Sequence, residues 1–508
     1  MRFGEAVVVN TAVRLRRMPM LRAAAVLAAG IFIFDRFLVP RWLLWVLFAV
    51  SCGFAAFVPH AHRPRWLVIF TVFVFGGVVA GLHRRPSDVP LGRPVVAVVA
   101  VDDVPAVRTD GRVSAPVRIL SFDDGSGTRP SRCRAMMWSD GSFDFSFGDR
   151  LTLLTELRPF REERTAYFNL MTRRGFAGTL FAVSADTLAV SHDDARRSVH
   201  AAAVERFSRL KLHPSVAAVA GAMSTGDRSR MTPELREAYS RSGVSHILAV
   251  SGLHIGIVFL LANALCRLLT LFRHGQIAAC AAVLIPVWLY AAACGFPPSV
   301  IRAAVMFTLL QLSAAASSEY FPMNTLPAAA FIMLTFDPDA LFDISFQLSF
   351  AAVAAIVTVG KPLFRLADRR TLAGRFLWDT FVIGVLSFAA AAPLVSHTFG
   401  RLSLAGVLVN PVVLLCAYVI VAVSVLWVCV PLPFVQPAAE WILDLVAGLQ
   451  NTIVERLAAY EWLSFDFRLP TAAVVAVYAV MVLSVPLVWG LEEPMSERFA
   501  RRKVLTDD

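Results

Sequence analysis

"GVSHILAVSGLHIGIVFLLANAL", residues 243–265, has the length and apolar content of a membrane span, yet two histidines, a serine and two interior glycines interrupt it. About 20 apolar residues cross a bilayer core. Polar groups at that depth usually face a protein interior or a water-filled path. Read as one helix, the stretch spreads His246, Ser251 and His254 over about 140° of the wheel, with His254 between the others. Gly252 and Gly256 make a G-x-x-x-G on another side, a spacing that lets a neighbouring helix approach closely. One face is therefore expected to pack tightly and another to stay polar. Two readings of the polar face stay open: bonded glue between helices, or the lining of a route.

The rest of the chain agrees that the solvent is lipid. Of 508 residues, 57% are hydrophobic and 17% charged, against about 45–50% and about 25% in soluble domains. A soluble globular protein is excluded, and a polytopic membrane protein is expected. The formal net charge of +11 reads first as cytoplasmic-loop charge and second as attraction for an anionic partner. Of seven cysteines only Cys133 falls in a polar region, so no disulfide is expected there. The basic start, with Arg14, Arg16, Arg17 and Arg22, leads straight into several spans and reads as an uncleaved anchor.

Spans are expected at 21–34, 42–58 and 66–82, and again at 245–271, 277–294, 300–316, 326–336, 341–359, 380–394, 404–430 and 472–490. "CGFPPS", "DPDALFD" and "LVNPVV" are expected to break them, as backbone lining a cavity can. Residues 440–460 place Trp441, Leu445, Leu449, Ile453 and Leu457 on one face and are expected to lie in the interface. Between the two membrane blocks the character changes. "PVVAVVAV", "APVRILSF", "CRAMMW", "RLTLLTEL" and "GTLFAVSA" are short β-runs separated by Gly, Pro and Asp turns, a pattern of small barrels or sandwiches. The expected fold is thus a polytopic α-helical membrane protein with an inserted small OB-like β-barrel. Its parts are membrane helices in 1–90, the β domain in 91–190, connecting helices in 191–242, a helical core in 243–430, the interfacial helix in 431–470, and a last span with its tail in 471–508.

Candidate residues follow from this division. His246, Ser251, His254, Arg302, Asn324, Asp343 and Gln347 are polar positions within or beside spans and are candidates for a polar path. An intramembrane arginine pairs with an acid or carbonyls, or suits a phosphate. In the β domain Trp138, Phe143, Phe145 and Phe147 are either core or a stacking platform for a single strand. Ser251 and His254 could also be the nucleophile and base of an intramembrane hydrolase, although no acid on the same helix would orient the imidazole. A transporter of a small anionic solute is a third reading.

Four stretches occur in order: "STGDRSRMTPELREAYSRSGVSHILAVSGLHIG", "GFPPSVIRAAVMF", "PMNTLPAAAFIMLTFDPDALFDISFQLSFAAVAAI" and "HTFGRLSLAGVLVNPV". Together they resemble the hallmark segments of the ComEC-type competence (DNA internalisation) channels. Upstream, "AYFNLMTRRGFAGTLFA" is similar to the end of that family's OB-like region. The resemblance implies passage of single-stranded DNA across the cytoplasmic membrane in natural transformation. It also implies a separate DNA receptor and other competence proteins as partners, besides the lipid bilayer. Many relatives carry a C-terminal metallo-β-lactamase-like domain. Here "HAH" at 60–62 is followed by Arg-Pro-Arg rather than a metal-ligand run. No metal, cofactor or catalytic residue is therefore expected, and strand degradation is expected from a separate nuclease. The basic N-terminal tail and the loop at 361–375 are expected in the cytoplasm, with the OB-like domain outside.

Overall fold

A computed structural model of the chain describes residues 18–37, 39–57, 64–83, 89–107, 112–131, 133–143, 145–160, 171–172, 175–191, 199–272, 275–315, 322–365, 371–403, 405–430, 432–460 and 464–506. Three helices come first: α1 (Pro19–Arg36), α2 (Arg41–Phe57) and α3 (Arg65–His83). α1 and α3 meet backbone to backbone. A Cβ on Gly30 would collide with the carbonyl of Phe73, and one on Gly76 would lie 2.6 Å from the Leu27 oxygen. Van der Waals packing holds helices together where lipid removes the hydrophobic drive.

The β-runs form strands β1 (Pro94–Val101), β2 (Ala106–Val107), β3 (Val113–Asp123), β4 (Thr128–Pro130), β5 (Arg134–Ser139), β6 (Arg150–Glu156), β7 (Phe176–Ala182) and β8 (Thr187–Ser191). Alternate residues point inward as strand geometry requires: Val95, Ala97, Val99 and Val101 of β1 pack with Val117, Ile119, Met137, Leu151, Leu153 and Leu180. The order is β7-β5-β3-β1-β6-β8, with β2 and β4 on β3. β5 and β7 run parallel, and the remaining pairs are antiparallel. The sheet does not close into the expected barrel. β6 pairs through Arg150–Leu153 with β8 on its outer edge, so only the chain beyond it reaches β7, through a single bridge between Arg158 and Thr179.

Helices α4 (Val199–Ser208), α5 (Pro214–Thr225) and α6 (Pro233–Arg241) connect the domain to the second block. Of the stretch expected to hold connecting helices, residues 192–198 lie outside the described residues. Thr232 caps α6 by accepting from the Leu235 amide at 3.3 Å, with Pro233 in the first turn. His200 of α4 joins the domains: Nδ1 is 2.8 Å from the Ala293 carbonyl and Nε2 3.7 Å from Asp103.

The second block holds α7 (Gly252–Cys266), α8 (Gly275–Ala293), α9 (Pro298–Ala315), α10 (Pro322–Phe336), α11 (Ile344–Phe364), α12 (Leu372–Phe399), α13 (Ala405–Cys429), α14 (Val435–Ala458) and α15 (Thr471–Thr506). Among the described residues, eight helices are long and apolar enough to cross a membrane: α3, α7 with the turn after it, α8, α9, α11, α12, α13 and α15. α1, α2 and α10, all expected as spans, are not among them: Arg22, Asp35 and Arg36 lie in the 18 residues of α1, and α2 and α10 are apolar but only 17 and 15 residues long. Two expected breaks are real. Phe296, at φ 55°, turns the chain between α8 and α9, and a 3-10 turn at Pro338–Phe342 precedes α11. The third is not, because α13 continues through Pro411. α14 turns Trp441, Leu445 and Leu449 outward and buries Leu443, Ala447, Gln450, Asn451 and Val454 against α5, α6 and α13.

Candidate functional site

The opening stretch is not one helix. Residues Ser245–Ile247 form a 3-10 turn, the chain then bends, and α7 starts only at Gly252. The cause is local. Ser251 adopts extended backbone, and its hydroxyl accepts from the Leu253 amide at 3.3 Å. His254, three residues on, accepts the Ser251 amide on Nδ1 at 3.1 Å. This is a capping box in which an imidazole replaces the usual carboxylate or amide. The wheel that placed His246, Ser251 and His254 on one helix is therefore replaced by a bend with His246 on its far side.

Two other stretches hold the bend. Its carbonyls lack helical partners, and side chains supply them. Arg228 Nε donates to the Leu248 carbonyl at 3.3 Å, and Ser299 Oγ donates to the Val250 carbonyl at 2.8 Å. Burial near Arg236 pulls the Arg228 guanidinium below its ordinary range. Before the bend, Gly243 at φ 73° sits against Gly406, whose own Cβ would lie 2.8 Å from the Gly243 oxygen. That contact brings the start of α13 to the bend, and Asn410 faces His246. His246 itself keeps exposed surface.

α7 and α9 flank α8 in successive hairpins, so their first turns lie at one end, tied by Ser299. Arg302 points between them. Its Nη2 sits where a Cβ on Gly252 would come within 2.9 Å, and its Cζ is 5.9 Å from the Phe350 ring centre on α11. Arg302 is 7% exposed, its Nε meets no acceptor, and no carboxylate pairs with it among the described residues. His254 is fully buried. Because Nδ1 accepts, its proton is assigned to Nε2, which also meets no acceptor. A buried, unpartnered charge costs several kcal/mol. The positive pole of α7 beside it adds to that cost.

The remaining candidates separate. Gly252 gives room to Arg302 rather than to a helix backbone, and Gly256 faces the Phe307 ring at 3.6 Å. Asn324 Oδ1 accepts the Met20 amide at 3.0 Å and so caps α1. Asp343 caps α11 through the Ser345 amide at 2.8 Å, while Gln347 Nε2 donates to the Leu341 carbonyl at 2.9 Å. These three work at helix joints. Ser251 Oγ and the His254 ring share no hydrogen bond; each serves the backbone of the bend.

In the β domain the four aromatics do not form one row. Phe145 is core and Phe143 packs on it, ring centres 5.4 Å apart. Trp138 and Phe147 are half-buried. Trp138 stands opposite Phe181 of β7, an exposed ring with Arg158 above it at 5.9 Å. Phe181 was not visible as a partner in the sequence because the pairing of β5 with β7 skips a strand. The Arg228 and Ser299 contacts were hidden for the same reason. Only the Ser-Gly pair at 251–252, a helix-start signal, could have located the bend.

The family model for Competence protein matches residues 223–492. ComE operon protein 3 of Bacillus subtilis (strain 168) is 24% identical over 281 residues, covering 54% of this chain and 35% of that protein. An uncharacterized protein of Aquifex aeolicus (strain VF5) is 31% identical over 224 residues, covering 43% of this chain and 50% of that protein. The chain thus spans half or less of the length of these curated relatives. No solved structure matches it. The matched family segment contains the bend, Arg228, Ser299, Arg302 and Asn410, and it covers more than half of the residues: the chain belongs to the Competence protein family.

Proposed function

We propose that the chain forms the route by which single-stranded DNA crosses the cytoplasmic membrane in natural transformation, with no catalytic residue of its own. Its partners on this reading are a separate nuclease, a DNA receptor and other competence proteins. Family membership supports the process. The observation that carries the conduit is the bend before α7, where His246 keeps exposed surface with Asn410 facing it. Within the block a few polar side chains, His254, Arg302, Ser424, Gln450 and Asn451, are buried among a mainly apolar interior, while Leu260, Ile285, Leu289, Leu415 and Leu426 face outward. Lipid outside and polar groups inside are what a route for a charged polymer requires.

The β domain fits the same reading. The order β7-β5-β3-β1-β6 with β7 parallel to β5, and the bridge from beyond β6 back to β7, support an OB-like fold. Trp138 and Phe181 with Arg158 offer rings and charge for single strands. A basic N-terminal tail followed by the apolar helices α1, α2 and α3 supports a domain outside the cytoplasm.

The test is a clean deletion scored for labelled DNA reaching the cytoplasm, with surface-bound DNA counted separately. Complementation by the wild-type chain should restore entry, and His246→Cys in a cysteine-free background should label with a water-soluble thiol reagent. A reporter active only in the cytoplasm should be silent at Ser126. Normal DNA entry in the deletion strain, or complete protection of Cys at 246, overturns the conduit.

A further inference from the structure

We infer that the first turns of α7 and α9 form a binding site for a phosphate-class oxyanion, with Arg302 as its charged ligand and the notch at Gly252 as its wall. Three observations bear on it. Arg302 is nine-tenths buried and has neither acid nor carbonyl as partner. It leans on the amino end of a 15-residue helix, where aligned peptide dipoles place positive rather than negative potential. His254, in the same turn, keeps a fully buried ring nitrogen without an acceptor. The guanidinium and the positive pole of α7 lie together with no anion between them.

The alternative is that Arg302 is structural. A structural arginine in this position would close on Asp343 or on a carbonyl freed by the bend. Instead Asp343 caps α11. The freed carbonyls of Leu248 and Val250 are taken by Arg228 and Ser299. These two carbonyls are satisfied without Arg302. Gly252 also bears on the choice: any side chain there would push the guanidinium away, since even a Cβ would lie 2.9 Å from Nη2.

The ligand class follows from the donors. A planar guanidinium beside the positive pole of a helix matches tetrahedral phosphate oxygens. One guanidinium balances one negative charge, which is what a phosphodiester carries. That the diester is a nucleic-acid backbone rests on the conduit reading; the oxyanion site does not.

The experiment uses the intact chain in phosphatidylcholine nanodiscs, with ³²P-orthophosphate binding and thermal unfolding measured together. Wild type should bind orthophosphate saturably and unfold at higher temperature in phosphate than in chloride at equal ionic strength. Arg302→Gln should weaken binding roughly tenfold to a hundredfold. It should unfold no earlier than wild type in chloride, because it removes an uncompensated charge. Gly252→Ala, which keeps the arginine but fills the notch, should weaken binding in the same direction. Arg401→Gln, in a separate ion-pair cluster, should not.

Competition by a short oligothymidylate supports the site and the nucleic-acid source together. Competition by phosphatidylglycerol in the disc, with none by the oligonucleotide, supports the oxyanion site and counts against the conduit reading. Arg302→Gln that fails to accumulate, or unfolds earlier in chloride while still binding phosphate, shows a structural arginine and overturns the site. So does orthophosphate binding that neither Arg302→Gln nor Gly252→Ala changes.

Discussion

Tyr239→Phe removes one oxygen from a buried polar cluster between α6 and α14. The Tyr239 hydroxyl donates to Asn451 Oδ1 at 2.8 Å and accepts from Gln450 Nε2 at 2.9 Å. Tyr239 and Gln450 have no exposed surface, and Asn451 has 5%. Burial holds the phenol proton well above the ordinary tyrosine range, so the hydroxyl remains a donor in mild alkali. Phenylalanine keeps the ring and leaves almost no cavity. What is lost is one acceptor's partner and one donor's partner, and Gln450 Nε2 keeps only a 3.6 Å approach to Met223 sulfur. Each stranded buried group costs about 1–3 kcal/mol, so the pair should cost roughly 2–5 kcal/mol. The triple variant Tyr239→Phe, Gln450→Leu, Asn451→Leu should recover that loss, since apolar replacement of a whole set is nearly neutral. Gln450 Oε1 and Asn451 Nδ2 already lack partners, which favours the triple further. Denaturant unfolding of the purified protein in detergent, followed by tryptophan fluorescence, reads both. A single variant within about 0.5 kcal/mol of wild type, or a triple no more stable than the single, would refute the argument.

Other consequences follow from particular contacts. Hydrogen bonds from Arg241 and Arg401 hold the Glu237 carboxyl below its ordinary range. Its contribution is present above the unfolded value and fades as pH falls through the lower folded value. Being half exposed, it is worth at most about 1 kcal/mol, and Arg401→Gln should flatten the acid side of a stability–pH curve. Ser251→Ala removes the acceptor for the Leu253 amide and should cost about 0.5–2 kcal/mol while DNA entry persists; abolished entry at normal abundance would instead favour a nucleophile. Gly30→Ala drives a methyl into the Phe73 carbonyl, whereas Gly53 has nothing within 4 Å of its Cβ position. Membrane abundance should therefore fall for Gly30→Ala and hold for Gly53→Ala.

How much of this was readable from the chain depends on the range of each interaction. Hydropathy placed most of the spans, because about 20 consecutive apolar residues are a local property. Alternation placed β1, β3, β5, β6 and β7, because side-chain direction repeats every two residues. The closed barrel was not a local matter: β6 has one outer edge, and β8, later in the chain, occupies most of it. Likewise Pro411 alone does not end a helix that its neighbours support.

The sequence by itself determined that the chain lives in lipid, that a β domain interrupts it, and that polar residues cluster near 246–254 and 302. Only the tertiary structure decided what those residues do. A helical wheel assumes the helix continues, and the Ser251 cap with the His254 ring ends that assumption at Gly252. Whether Arg302 has a partner depends on Asp343, Leu248 and Val250, which are about 40–55 residues away in the chain. Spacing within one helix carries no record of which distant groups have already been satisfied, and that satisfaction is what leaves Arg302 and His254 Nε2 open.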